Sequence, residues 1–236
     1  MGMRDVPGHW KILLGEALDI ILGRSGPSPR DVDLALAEAG MAPTSAPSIP
    51  VGIKTVTALG EYAGEMASMV ATAKYSGLEG ILHHLGRRLG LELIATATWL
   101  ELAEGRPFVV PAPMPAWRRA HRGIDHARVI AHGVASQVDG EVRTWLSTGW
   151  RSPQVGSDRG TRREVIDSIS PSWAWRVERD LLGRKRPEEG RPVVLVDDVI
   201  TTGSTMAGCA RVLDGLGFGE IHTGVLLQGG EFGDFS

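Results

Sequence analysis

The stretch Val193 to Thr205, Val-Val-Leu-Val-Asp-Asp-Val-Ile-Thr-Thr-Gly-Ser-Thr, constrains the fold more than any other part of the chain. Four consecutive apolar residues, three of them β-branched, suit a strand buried on both faces, as in a parallel sheet covered by helices. The acidic pair Asp197 and Asp198 then falls at the strand's carboxyl end, where open α/β sheets bind ligands. The polar run Thr201 to Thr205 follows, and behind it Met206, Cys209, Leu213 and Leu216 recur at helical spacing until Gly217 and Gly219 stop the pattern. Hydroxyls and backbone N–H groups therefore gather at a helix start, an arrangement suited to a phosphate. Gly203 lets the backbone approach an anion closely. A carboxylate only accepts hydrogen bonds and a sugar diol offers two donors, so an Asp pair beside such a cradle suits a ribose 5-phosphate.

The chain, 236 residues long, can bury one sizeable core and at most a second small unit. Its net charge of −3 gives no general reason to expect nucleic acid, while leaving room for a local basic patch. The single cysteine, Cys209, rules out an intramolecular disulfide and a cysteine-rich zinc site. It lies on the apolar face of the helix after the loop, which makes it a small core residue. The amino-terminal apolar segment is cut by Lys11, Glu16 and Asp19, leaving no signal-peptide core and no membrane span. A cytoplasmic enzyme or binding protein, with no membrane partner, is the expectation.

Trp10, Leu13, Leu14, Ala17, Leu18, Ile21 and Leu22 predict an amphipathic helix over 9–22. Gly23 to Pro29 breaks the chain, Asp31 suits the cap of a short helix to about Ala39, and Met41 to Pro50 is a Pro-, Ser- and Ala-rich linker. Residues 1–50 are thus expected to form a helical appendage to a main domain over 51–236. Val51 to Leu59 suits a strand, with a sheet edge as one place for it. Met66, Met69, Val70 and Ala73 follow a helical pattern, which Lys74 to Gly77 interrupts and Leu78, Ile81, Leu82, Leu85 and Leu89 resume. His83 and His84 are adjacent and face different directions on a helix, a poor metal pair.

Phe108 to Val110 reads as a short buried strand running into the proline-fixed loop Pro111-Ala112-Pro113. The basic run Trp117 to Gly123 comes next, ahead of a helix with Ala127, Ile130, Ala131 and Val134 on one side. Cations near a strand's carboxyl end would offset a diphosphate. Glu141 to Leu146 suits another strand. Residues 148–163 carry Arg151, Arg159, Arg162 and Arg163 with little apolar content, which marks a candidate lid or a disordered loop. Trp173, Trp175 and Val177 alternate, so a short strand or extended segment is expected there. Ile221 to Leu227 supplies a last apolar strand.

These pieces recur in the same order in the ComF-like branch of the type I phosphoribosyltransferases, which this sequence resembles over about residues 51–228. Asp197-Asp198 and Thr201-Thr202-Gly203-Ser204-Thr205 look like the family's phosphoribosyl-pyrophosphate signature. Ala73 to Gly77 is similar to its Lys-Tyr-x-Gly segment, Val110 to Pro113 to its Val-Pro-Val-Pro loop, and Arg122 to His126 to its Arg-Gly-Phe-Asn-Gln run. Pro153-Gln154, Gly156 and Arg162-Arg163 resemble, with gaps, its Gln-x-Gly and double-arginine lid. Two departures stand out. Residues 23–50 lack the cysteines of the usual zinc ribbon, and Asp125 and His126 replace Asn and Gln.

The resemblance implies a twisted, mainly parallel sheet flanked by helices, and a site for phosphoribosyl pyrophosphate with magnesium. It implies that Asp197 and Asp198 hold the ribose hydroxyls, steady positive charge on the sugar and touch magnesium directly or indirectly. Val199, Ile200, Thr201, Thr202, Gly203, Ser204 and Thr205 would hold the 5-phosphate. Pro111, Ala112 and Pro113, with Arg118 or Arg122, would face the pyrophosphate, and the 148–163 lid would exclude water. His121, His126 and His132 are candidate bases by type and position only. Two functions follow. One is transfer of the phosphoribosyl group to a nitrogenous acceptor that the sequence does not name. The other is a non-catalytic sensor or scaffold in DNA uptake or repair, with the 117–122 stretch contacting a partner or single-stranded DNA. A homodimer is compatible with either.

Overall fold

The computed structural model describes residues 44–45, 52–62, 67, 70–71, 73–74, 79–96, 106–115, 123–149, 168–181 and 191–229. In chain order these form β1 (Thr44–Ser45), β2 (Thr55–Glu61), α1 (Glu79–Ala95), β3 (Phe108–Pro111), α2 (His126–Val138), β4 (Glu141–Val142) and β5 (Leu146–Thr148). There follow β6 (Ile169–Pro171), α3 (Trp173–Leu181), β7 (Val193–Ile200), α4 (Ser204–Gly215) and β8 (Ile221–Gln228). The main sheet has the order β1-β2-β8-β7-β3-β4, parallel throughout except for the antiparallel β1. The expected class, a mainly parallel sheet flanked by helices, is therefore the fold observed.

Because strand side chains alternate between faces, the apolar runs divide into two cores. On one face Val194, Val196, Leu226 and Leu227 pack with Leu82, Leu85, Leu89 and Leu93 of α1 and Ile130, Ala131 and Val134 of α2. On the other, Val193, Leu195 and Val225 pack with Met206, Cys209, Ala210 and Leu213 of α4 and with Phe108, Trp145 and Phe218. Each fully buried Leu contributes roughly 1.5–3 kcal/mol by leaving water, so the two layers hold β7 at the centre of the molecule from both sides. Cys209 is buried in the second layer, in keeping with a core role. Its thiol is held well above the ordinary range by burial and then by the neighbouring charge of Asp197.

The two helices over the first face approach closely because glycines line their crossing. A Cβ on Gly86 would run into the carbonyl of Ile130, and one on Gly133 into the carbonyl of His83. The packing of α1 on α2 thus depends on two missing side chains.

Several local expectations change. The Trp173-Trp175-Val177 alternation belongs to helix α3, not to a strand. Ser172 Oγ accepts from Trp175 N at 3.2 Å, which starts the helix. Trp173 is 78% exposed while Trp175 packs edge-on against Trp145, so a two-residue spacing that looks like a strand separates an outward from an inward helical position. The strand expected over Glu141 to Leu146 divides into β4 in the main sheet and β5, which pairs with β6 in a separate two-stranded sheet. β2 is second from the edge, since β1, from the stretch taken as linker, pairs along it. Apart from 44–45, the appendage over 1–50 lies outside the described residues, as does its predicted helix over 9–22. Among the described residues no helix is long and apolar enough to cross a membrane.

Candidate functional site

β3 and β7 are parallel neighbours whose following chains diverge. After β3 the chain continues into α2, which packs on the first face; after β7 it continues into α4, which packs on the second. A crevice opens at the carboxyl ends of two such strands, and it is the place where doubly wound sheets bind ligands. Its position follows from strand order alone.

Asp197 and Asp198 sit on β7 at this crevice, within the strand, which runs on through Val199 and Ile200. Val199 pairs with Leu227 and Ile200 with Gln228. Ile200 is buried in the core, so its side chain faces away from the crevice's open surface and only its backbone is placed there. Asp197 Oδ1 accepts a hydrogen bond from Asp198 N at 2.8 Å, which fixes its carboxylate beside the strand. The alternation of the strand sends Asp198 to the side of α1 and α2, where its Oδ2 lies 2.7 Å from Lys74 Nζ. Burial, then the charge of Asp198, push the Asp197 carboxyl up to about 8, against the lowering effects of the Asp198 N–H and Lys74. Two adjacent carboxylates in a partly buried crevice thus resist carrying two full charges.

The loop after β7 is shaped for a close approach. Gly203 has φ +72°, in the left-handed region, and precedes the first residue of α4 without a side-chain cap. Ser204 is buried and its hydroxyl meets that of Thr202 at 2.9 Å; Thr201 is exposed and Thr202 and Thr205 are half-buried. Hydroxyls and first-turn amides therefore converge at the positive end of the α4 dipole.

The 111–113 loop stands against the same residues. Pro111 is paired with Val196, and Ala112 N donates to Val196 O at 2.8 Å, so the loop leaves the sheet beside Asp197. Pro111 and Ala112 are buried and Pro113 is half-buried. The structure thus brings together the expected acidic pair, the 199–205 loop and the 111–113 loop. Arg118 and Arg122, His121 and most of the 148–163 lid lie outside the described residues. The strands on either side of that segment, β5 and β6, pair with each other, with Thr148 Oγ1 and Ser168 Oγ 3.0 Å apart.

Two candidate bases have other surroundings. His126 is fully buried, and its Nε2 lies 3.1 Å from Lys74 O; a carbonyl only accepts, so Nε2 carries the proton. His132 lies further along α2, where burial, Arg128 and then His83 lower its basicity. Asp125 caps α2, accepting from Arg128 N at 3.4 Å. Lys74, by contrast, stands out in the sequence only as part of the Ala73 to Gly77 segment. A lone lysine ending an apolar helical stripe was the signal, since a buried stem with a charged head needs a partner.

A phosphoribosyl transferase domain model matches residues 127–233, the region that holds α2, β7, its loop and α4. DNA utilization protein YhgH of Escherichia coli is 29% identical over 157 residues, 65% of this chain and 63% of that protein. The YhgH protein of Salmonella typhimurium is 26% identical over 72% of this chain and 74% of its own length. These matches bear out the resemblance of the chain to the ComF-like branch of the type I phosphoribosyltransferases. The crystal structure of TT1426 from Thermus thermophilus, at 19% identity, superposes on 66% of this chain and 85% of that one with a TM-score of 0.36. The chain spans just under two thirds of the length of the Escherichia coli relative.

The donor set at the crevice fits magnesium, the ion that the resemblance implies, in one specific way. Among the described residues no three His, Cys, Asp or Glu side chains cluster as a metal cage. Magnesium, however, takes one or two carboxylates and keeps waters and substrate phosphates for the rest of its shell. Asp197 and Asp198 have that chemistry.

Proposed function

We propose that the crevice binds phosphoribosyl pyrophosphate with magnesium and that the protein transfers the phosphoribosyl group to a nitrogenous acceptor, releasing pyrophosphate. The observation that carries this reading is the convergence of three elements at one switch point: the Asp197-Asp198 pair, the Gly203 loop at the start of α4, and the 111–113 loop beside Val196. The carboxylates suit two ribose hydroxyls, and the helix start suits a 5-phosphate. The 111–113 loop, with Arg118 or Arg122 from the stretch that follows it, is the proposed pyrophosphate side. The working domain in this proposal is residues 51–236, with 1–50 as an appendage.

In the transfer, a bond forms between the acceptor nitrogen and the ribose C1 carbon as the bond from C1 to the diphosphate oxygen breaks with its electron pair. Positive charge develops on the sugar, where Asp197 and Asp198 can offset it. Magnesium, when bound, neutralises the leaving diphosphate. The acceptor's proton needs a destination. Among the described residues at the crevice, the Asp197-Asp198 pair supplies the carboxylate oxygens that can accept it.

A second reading has an observation of its own. The relatives are named for DNA utilization, and the crevice offers no histidine base among the described residues, since His126 is buried against Lys74 O. We therefore keep the alternative of a non-catalytic protein of DNA uptake or repair that retains the pocket as a sensor or scaffold. Pyrophosphate release measured over a panel of purine, pyrimidine and amine acceptors separates the two. Release that depends on one acceptor supports transfer; binding of the sugar phosphate with no release for any acceptor supports the sensor. Binding to single-stranded DNA that weakens steeply with salt would add a phosphate-contacting surface to the second reading.

A further inference from the structure

We propose that Lys74 is a positioning residue of this site: its ammonium fixes the Asp198 carboxylate and supplies the cation that lets a phosphorylated sugar approach two adjacent carboxylates. This rests on the sugar-phosphate reading of the crevice given above.

The geometry is specific. Lys74 Nζ is 2.7 Å from Asp198 Oδ2, and the two side chains are only 14% and 18% exposed. An ion pair with so little water around it is not a passing surface contact, and removing one partner leaves the other charge partly buried and uncompensated. The lysine is also anchored from behind. Val70 and Ala73, from the same helical segment, are buried in the first core layer. His126 Nε2 donates to the Lys74 carbonyl at 3.1 Å from the start of α2. Backbone and ammonium are therefore held by two different elements, α2 and β7.

The consequence is electrostatic. A sugar carrying phosphates must come up against Asp197 and Asp198, and unscreened carboxylates would repel it. Lys74 supplies one positive charge from the interior side, where it does not occupy the ligand's own place. With its rotation restricted, Asp198 presents its other oxygen in one direction as a hydrogen-bond acceptor for a hydroxyl. Lys74 thus acts through Asp198, not on the diphosphate.

The test is a set of binding titrations with phosphoribosyl pyrophosphate and with ribose 5-phosphate, which lacks the diphosphate. They are made on the wild type, Lys74→Met, Lys74→Arg, Asp198→Asn and the double variant Lys74→Met/Asp198→Asn. Lys74→Met should weaken both ligands by the same factor, at least about tenfold, and Lys74→Arg should stay within about threefold of wild type. In the Asp198→Asn background, Lys74→Met should change affinity by less than about twofold, since its partner is gone. That double variant removes both charges together, so it keeps the comparison available if the single lysine variant folds poorly. Unchanged or tighter binding by Lys74→Met overturns the proposal. So does a loss confined to the diphosphate ligand, which would mean direct contact, or an equal loss in the Asp198→Asn background. Failure of the wild type to bind either ligand defeats the underlying reading of the crevice, and the positioning role with it.

Discussion

Asp197→Asn should make the protein more stable at alkaline pH while removing a residue assigned to the ligand. In the folded protein burial and Asp198 push the Asp197 carboxyl up to about 8, whereas an unfolded Asp titrates near 3.9. The folded state therefore binds this proton more tightly than the unfolded state. Its contribution to stability is complete below about pH 4 and is lost as pH rises towards 8. Each unit of displacement is worth about 1.4 kcal/mol. Taking about half of that displacement, two units, to allow for relaxation around the buried carboxyl, gives roughly 3 kcal/mol at pH 8. Asn does not ionise, and its Oδ1 can still accept from Asp198 N as Asp197 does. For a chain of this size, 3 kcal/mol corresponds to an increase of about 6–12 °C in Tm at pH 8, shrinking to near zero at pH 4. Thermal unfolding of both proteins from pH 4 to pH 9 measures it. A difference that does not grow with pH, or a variant less stable than wild type at pH 8, would refute the electrostatic account of the pair.

Three further outcomes follow from the packing. Gly133→Ala places a methyl group against the carbonyl of His83 and within 2.9 Å of Arg87 N; because the obstacle is backbone, urea unfolding should show a loss of about 2–4 kcal/mol, at the upper end of overpacking effects. Gly203→Ala forces a Cβ onto a residue at φ +72°; a loss of about 1–2 kcal/mol in stability and a several-fold weaker affinity for ribose 5-phosphate are expected. Trp145→Ala empties the centre of a ring cluster in which Phe108, Phe218 and Trp175 lie 4.7, 4.9 and 5.2 Å from Trp145, and removes the donor to Glu178. It should cost about 3–5 kcal/mol in unfolding measurements.

Much of this architecture was legible because its signals are local. The Val193 to Val196 run announced a strand buried on both faces, and both cores do close on it. The apolar spacings of α1, α2 and α4 marked the faces that pack, and Pro111 marked where β3 ends. What sequence spacing does not carry is the meeting of distant residues. Lys74 reaches Asp198 because a helical segment ahead of α1 is docked on the β7 face, and no periodicity in either stretch records that pairing. His126 looked like a candidate base because imidazole chemistry suggests one; its complete burial against Lys74 O is a property of packing. The tryptophans of α3 misled for a related reason, since a spacing of two fits a strand or opposite sides of a helix, and the choice was made by Trp145 and Phe218 in the core. The Asp pair also proved to lie inside β7, with its two carboxylates on different sides of the strand and in different electrostatic surroundings.

The central claim is that the crevice holds a phosphorylated ribose bearing a diphosphate. Titration calorimetry with phosphoribosyl pyrophosphate and magnesium, on the wild type and on Asp197→Asn/Asp198→Asn, tests it most directly. The account predicts saturable heat at one site per chain for the wild type, and an affinity at least about a hundredfold weaker in the double variant, since both hydrogen-bonded carboxylates are lost. No heat from a folded wild type, or equal affinity in the two proteins, would contradict it.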